Sequence, residues 1–185
     1  MNPYLIVDGL IAGQTLKIET PFLNIINEFD LIVEIGFHRG VLSQWLYTNK
    51  NPTTKLYCYD ITISEKIINN ENINFIIGDC FNEKVINEII ELIKNSGKSL
   101  ILCDGGNKNQ EFNLYSEFLK PGDVIMCHDY SHNNGDFTQI STELNWPHPS
   151  ESHYEGIESA INTFSLTPYY YDEFKDVLWG SFIKP

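Results

Sequence analysis

Residues 31–40 read Leu31-Ile32-Val33-Glu34-Ile35-Gly36-Phe37-His38-Arg39-Gly40: an apolar, β-branched run broken by one acid, then two glycines. A run this short and this apolar predicts a strand of a parallel sheet, buried on both faces. Gly36 and Gly40 allow a tight backbone turn with no Cβ to obstruct a ligand. The stretch from about Gly40 to Tyr47 predicts a helix whose first N–H groups point into the same crevice. Strand, glycine turn and helix in this order predict a cofactor site. Its first candidate residues are Glu34, Gly36, Phe37, His38 and Gly40.

The spacing bears on which cofactor. A dinucleotide fingerprint is G-x-G-x-x-G, its second glycine making room for the pyrophosphate. Here that slot is His38, so an NAD-dependent oxidoreductase is the weaker alternative. Glu34, on the strand itself, would repel a diphosphate and suits a cationic ligand. The pattern E-x-G-x-x-x-G resembles motif I of the class I S-adenosylmethionine-dependent methyltransferases, whose cofactor carries an ammonium and a sulfonium.

Working outward, strands are predicted at 55–60, 74–79, 99–104 and 123–129. Helices are predicted at 82–95, where Val85, Ile86, Ile89, Ile90 and Ile93 recur at helical spacing, and at 111–119. Alternation at this pitch predicts a doubly wound, Rossmann-like α/β sheet. After a helix near 156–164, segments 168–171 and 176–183 predict an antiparallel hairpin. The expectation is a seven-stranded sheet, mostly parallel, in a single domain spanning 1–185. Residues 1–30 are expected to form a helical N-terminal extension, with a helix at 21–29. Residues 130–155 are polar and rich in Asn, His, Pro and Gly, an irregular loop expected to cover a substrate; His132, Trp146, His153 and Tyr154 are its candidates.

Composition narrows the partners. The 185 residues carry 12 Lys and Arg against 25 Asp and Glu, a formal net charge of −13, and Arg39 is the sole arginine. Nucleic-acid backbones are gripped by clustered Lys and Arg, so no nucleic-acid partner is expected, and a small molecule, a sugar or another protein is favoured instead. No apolar stretch is long enough to span a bilayer, and residues 1–4 lack the start of a secretory signal; no membrane partner and a cytoplasmic location are expected. Cys58, Cys80, Cys103 and Cys127 form no C-x-x-C pair and are expected to be buried, reduced thiols.

Each predicted parallel strand ends in a polar group: Asp60, Asp79, Asp104 and the pair His128-Asp129. Ligands of open α/β sheets bind at such ends. The resemblance covers about residues 20–183 and implies roles: Asp60 on the ribose, Asp79 and Cys80 at the adenine, and Glu34, Gly36 and Asp104 at the methionine end. The segments 102–107 and 118–130, with Leu119-Lys120-Pro121-Gly122 and His128-Asp129-Tyr130, are similar to the methyltransferase domain 24, cephalosporin-hydroxylase-like and rhamnosyl O-methyltransferase branch. That implies O-methyl transfer to a sugar or other hydroxylated metabolite. Two departures stand out. Where the branch often has a histidine, this chain has Asn107, followed by Lys108. Where metal-dependent relatives have Asp-Asn, it has His128-Asp129. Asp129, His128 and Lys108 are the candidate bases. Asp104 and Asp129 are the candidate metal ligands, but His128 is a poor Mg²⁺ ligand, so Mg²⁺ is not favoured. A domain that binds S-adenosylmethionine without transferring methyl is the other alternative.

Overall fold

The structure, a computed structural model, describes residues 4–7, 9–64, 70–144 and 150–185. In chain order the elements are β1 (Tyr4–Val7), β2 (Leu10–Thr15), α1 (Glu19–Ile25), β3 (Leu31–Ile35), α2 (Val41–Asn49), β4 (Lys55–Asp60), β5 (Asn74–Ile77), α3 (Glu83–Asn95) and β6 (Ser99–Cys103). There follow α4 (Lys108–Ser116), β7 (Val124–His128), β8 (Tyr130–Ser131), α5 (Asn134–Leu144), β9 (Ser152–His153), α6 (Tyr154–Thr163), β10 (Thr167–Pro168), α7 (Tyr171–Lys175) and β11 (Trp179–Ile183).

Seven strands form one sheet in the order β10-β11-β7-β6-β3-β4-β5. β3 is central and pairs in parallel with β4 and β6, placing Glu34 between Cys58 and Leu102. β11 runs antiparallel to both β7 and β10, so it alone opposes the other strands. This is the expected doubly wound α/β sheet with its antiparallel end.

Every residue of β3, β6 and β7 is buried, and alternate side chains feed two cores. Ile32, Leu100, Leu102, Val124 and Met126 meet Phe22, Trp45, Leu46 and Trp179 on one face. Val33, Ile101, Cys103, Ile125 and Cys127 meet Ile89, Ile93, Phe112, Tyr115 and Ile157 on the other. Period-2 alternation inside a mostly apolar run is what a sheet covered by helices on both faces requires. The four cysteines are free and buried. No helix among the described residues is long and apolar enough to cross a membrane.

The structure differs from the sequence expectation at four places. The N-terminal segment, expected to be helical, opens with the antiparallel pair β1–β2, and only α1 and a short turn at Ile26–Glu28 are helical. Segment 130–155, expected to be irregular, contains α5. The antiparallel β10–β11 pair is joined through α7, whose Phe174 is fully buried beside Phe22. Finally, α4 starts at Lys108 rather than near Glu111, because the Asn107 side chain caps it by accepting the Gln110 N–H at 3.2 Å.

Candidate active site at the strand ends

The chain leaves β3 in one direction to build β4 and β5, and later returns to build β6 and β7 on the other side. The crevice at that reversal, outside the carboxyl ends of β3 and β6, is where such sheets hold ligands. The turn after β3 is stitched to both neighbours. Gly36 N–H donates to the Tyr59 carbonyl at 2.7 Å, and Asp104 N–H donates to the Ile35 carbonyl at 2.9 Å. Gly36 has φ +89°, and a Cβ there would lie 2.3 Å from the Asp104 carbonyl oxygen. The expectation that Gly36 clears room for a ligand is thereby refined: the 104–105 backbone already fills the place a side chain would take. Gly40, φ 72°, leads into α2. Phe37 belongs to the core, its ring 4.8 Å from that of Phe75.

His38, left-handed at φ 48°, donates its N–H to Asp60 Oδ2 at 2.8 Å, while Asp60 Oδ1 accepts the Thr62 N–H at 3.2 Å. Half-buried at the end of β4, Asp60 ties the glycine turn to its strand and keeps lone pairs for further donors. Asp79 is exposed beyond β5 and closes a turn by accepting the Phe81 N–H at 2.9 Å. Cys80 is buried, its carbonyl accepting the Tyr115 hydroxyl at 2.7 Å, and burial pushes its thiol up to about 12.

Glu34 is placed otherwise than expected. It is 1% exposed and accepts the Ser43 hydroxyl of α2, so it braces the helix from beneath the turn. Burial pushes its carboxyl up to about 8, against the pull of Ser43. At neutral pH the group is mostly protonated, so it offers a cationic ligand little charge.

The densest polar cluster lies where β6 and β7 end. His128 Nδ1 sits 2.9 Å from Asp104 Oδ1 and 3.5 Å from Asp129 Oδ2, and its ring lies 4.9 Å from that of Trp179. Burial alone would lower the imidazole's pKa, but the carboxylates of Asp104 and Asp129 hold it above its ordinary value. Gln14 of β2, which the sequence reading missed, enters the same cluster. Its Nε2 donates to Asp104 Oδ2 at 2.7 Å, and its Oε1 accepts the Trp179 indole N–H at 3.1 Å. With the His128 Nδ1 proton directed at Asp104, the Gln14 amide 3.3 Å from that nitrogen serves Asp104. The signal for Gln14 was absent because its partners lie 90 and 165 residues away.

Lys108, 5% exposed, bonds to Glu151 and to the Gly105 carbonyl at 3.1 Å, with Asp129 Oδ2 at 3.5 Å and Asp104 Oδ1 at 3.9 Å. Burial would lower its pKa, but these carboxylates reverse the effect and raise it above the ordinary lysine value. Lys108, one of the three candidate bases, is thus held among carboxylates that favour its charged form. Glu111, also missed, is 1% exposed and accepts the Gly105 and Asn107 N–H groups at 3.1 and 3.2 Å, fastening the loop after β6. Burial pushes its carboxyl up to about 7, opposed by those two bonds.

Asp129 has φ 51°, a conformation that costs a non-glycine residue about 1–3 kcal/mol and persists where surroundings enforce it. Here its carbonyl takes the N–H groups of Glu151 and Ser152 at 3.1 and 3.2 Å and the Ser150 hydroxyl at 3.0 Å. Of the candidates expected in the covering loop, His153 is held by Ser131 and Ser150 at 3.1 Å each. His132 packs on Tyr154 at 4.8 Å. Trp146 lies outside the described residues. Among the described residues no group of three or more His, Cys, Asp or Glu is arranged to hold a metal ion. A groove of about 1400 Å³ is lined by residues of β4, β5 and α3, from Asp30 and Lys55 at the amino ends of the strands to Tyr59, Ile76 and Asn82.

Known proteins share this architecture. No curated protein sequence matches the chain. Among solved structures it is similar to one described as cmcI-D160 Mg-SAM, at 14% identity and TM-score 0.63, covering 95% of this chain and 75% of that one. It is similar to the MycE methyltransferase of mycinamycin biosynthesis in complex with Mg and SAH, at 14% identity and TM-score 0.55, covering 92% and 48%. Human N-acetylserotonin methyltransferase in complex with SAM gives 15% identity and TM-score 0.50, covering 83% and 46%. The chain thus spans about half the length of the last two, and identities this low speak to fold alone. The sequence model of FtsJ-like methyltransferases matches residues 17–127, from the turn before α1 to the penultimate residue of β7, and the chain belongs to that family.

Proposed function

We propose that the chain binds S-adenosylmethionine across the carboxyl ends of β3 to β6 and passes its methyl group to a hydroxyl of a small molecule, such as a sugar or other hydroxylated metabolite. The observation that carries this reading is Asp60, a carboxylate fixed by the N–H of His38 in the glycine turn and placed to accept a ribose diol. The donor set fits the ligand: acids at 60, 79 and 104 suit two hydroxyls and two positive centres. When bound, the cofactor supplies an electrophilic methyl on a sulfonium.

The chain's own residues position and deprotonate. Asp104, held by Gln14 and His128, faces the methionine end beside Gly36. Asp79 and Cys80 flank the adenine, and Glu34 supports the turn from below. Asp129 orients the acceptor and takes its proton, within reach of about 3 Å. Mg²⁺ accompanies the ligand in the MycE and cmcI-D160 structures, but the residues here do not fit it, because the Lys108 ammonium stands among the carboxylates. The excess of acid, net −13, sets the protein against a polyanionic acceptor. The motif segments at 118–130 support a small hydroxylated acceptor, and buried free thiols suit a reducing compartment such as the cytoplasm.

The test is transfer of labelled methyl to a panel of hydroxylated sugars and phenols, with bulk RNA alongside. Label should enter a small acceptor, and Asp129→Asn should slow transfer on the order of 10²-fold or more at unchanged S-adenosylhomocysteine affinity. Label on RNA alone would overturn the acceptor class. Cofactor binding with no transfer to either would reduce the chain to a binding domain.

A further inference from the structure

The Lys108 side chain makes an unusual set of contacts for a lysine. It starts a helix, is 5% exposed, and carries its charge inward. Its ammonium bonds to Glu151 and the Gly105 carbonyl and lies within 4 Å of Asp129 and Asp104. These acids come from three separate parts of the chain: the end of β6, the end of β7 and the segment leading into β9. Three carboxylates gathered this closely repel one another unless a cation stands between them. Divalent cations meet that need in many oxygen-rich sites, taking carboxylate oxygens at about 2.0–2.6 Å. Here the place is filled by covalently attached charge.

The surroundings keep it there. Glu111 fastens the loop from which the Gly105 carbonyl points, the Asn107 cap fixes the first turn of α4, and the N–H groups of Glu151 and Ser152 pin the Asp129 backbone.

We propose that the Lys108 ammonium is the resident cation of this site, balancing the charges of Asp104, Asp129 and Glu151, so that the acceptor meets an ammonium and not a metal ion. The inference takes its functional meaning from the methyltransferase reading above, but its test does not depend on that reading. A lysine that merely packed would leave the acids indifferent to its removal, whereas a resident cation leaves a vacant, acid-lined position when cut away.

Mn²⁺ reports this directly, because its free-ion electron paramagnetic resonance signal is lost on binding. Mn²⁺ is titrated into the full chain, into Lys108→Ala and Lys108→Arg, and into each with Asp129→Asn added; folding is checked by circular dichroism. The wild-type chain and Lys108→Arg should show no site that Asp129→Asn removes. Lys108→Ala should gain one, at least about tenfold tighter than any binding to the wild type, and lose it again with Asp129→Asn. A wild-type Mn²⁺ site abolished by Asp129→Asn overturns the proposal even if Lys108→Ala fails to fold. A folded Lys108→Ala chain that gains no site overturns it equally. S-adenosylhomocysteine titration of the same samples separates failure of the cofactor reading from failure of this one.

Discussion

Two acids beside the same glycine turn, Glu34 on β3 and Asp60 at the end of β4, have different fates. Asp60 stays half-exposed at a strand end, whereas Glu34 is sealed under α2 with Ser43. The sequence made both legible as acids at a cofactor turn, but not their environments, since burial depends on which face of β3 the helix covers. The consequence for Glu34 is a pH dependence. Its carboxyl is raised from an ordinary 4.5 to about 8, so between these values the folded chain holds a proton that the unfolded chain has lost. Its contribution to stability is therefore full below pH 4.5 and is lost as pH rises toward 8, at up to about 1.4 kcal/mol per unit. Thermal unfolding across pH 5–8 should show Glu34→Gln losing less stability with rising pH than wild type; parallel curves would contradict the assignment. At Gly36, a Cβ 2.3 Å from the Asp104 carbonyl forces backbone apart. Gly36→Ala should cost about 2–4 kcal/mol in urea denaturation, as steric strain at a special φ does. A cost below about 0.5 kcal/mol would show that the 104–105 loop moves freely.

Among the elements, β3, β6 and β7 were readable because burial on both faces leaves an apolar signature independent of context. The edge and the termini were not. β2 is a short strand containing Gly13, and what makes it structural is pairing with β1 and the reach of Gln14 across to Asp104 and Trp179, contacts no local pattern announces. Likewise α5 lies in a polar segment whose helical face is settled by packing of Phe137 and Leu144 on Leu178. Gln14→Ala would leave the buried Trp179 N–H and one Asp104 oxygen without their partner. The expected cost is about 1–3 kcal/mol of stability, measured by chemical denaturation, together with weaker S-adenosylhomocysteine binding. A neutral substitution would remove the β1–β2 hairpin from the site's architecture.

Over the whole molecule, the sheet order brings the ends of β3, β4, β5, β6 and β7 to one side, and with them nearly every polar residue that the sequence marked. Their juxtaposition follows from topology; their division of labour, with Lys108 a fixed cation and Glu34 a neutral brace, follows only from burial and charge. The central claim is a cofactor site centred on Asp60 and the glycine turn. Its most direct test is calorimetric titration of the wild-type chain and Asp60→Ala with S-adenosylhomocysteine, with NADH in parallel. The account predicts saturable binding of S-adenosylhomocysteine to the wild type, weakened by about 1–3 kcal/mol in Asp60→Ala, and no binding of NADH. Affinity unchanged in Asp60→Ala, or binding of NADH in place of S-adenosylhomocysteine, would contradict it.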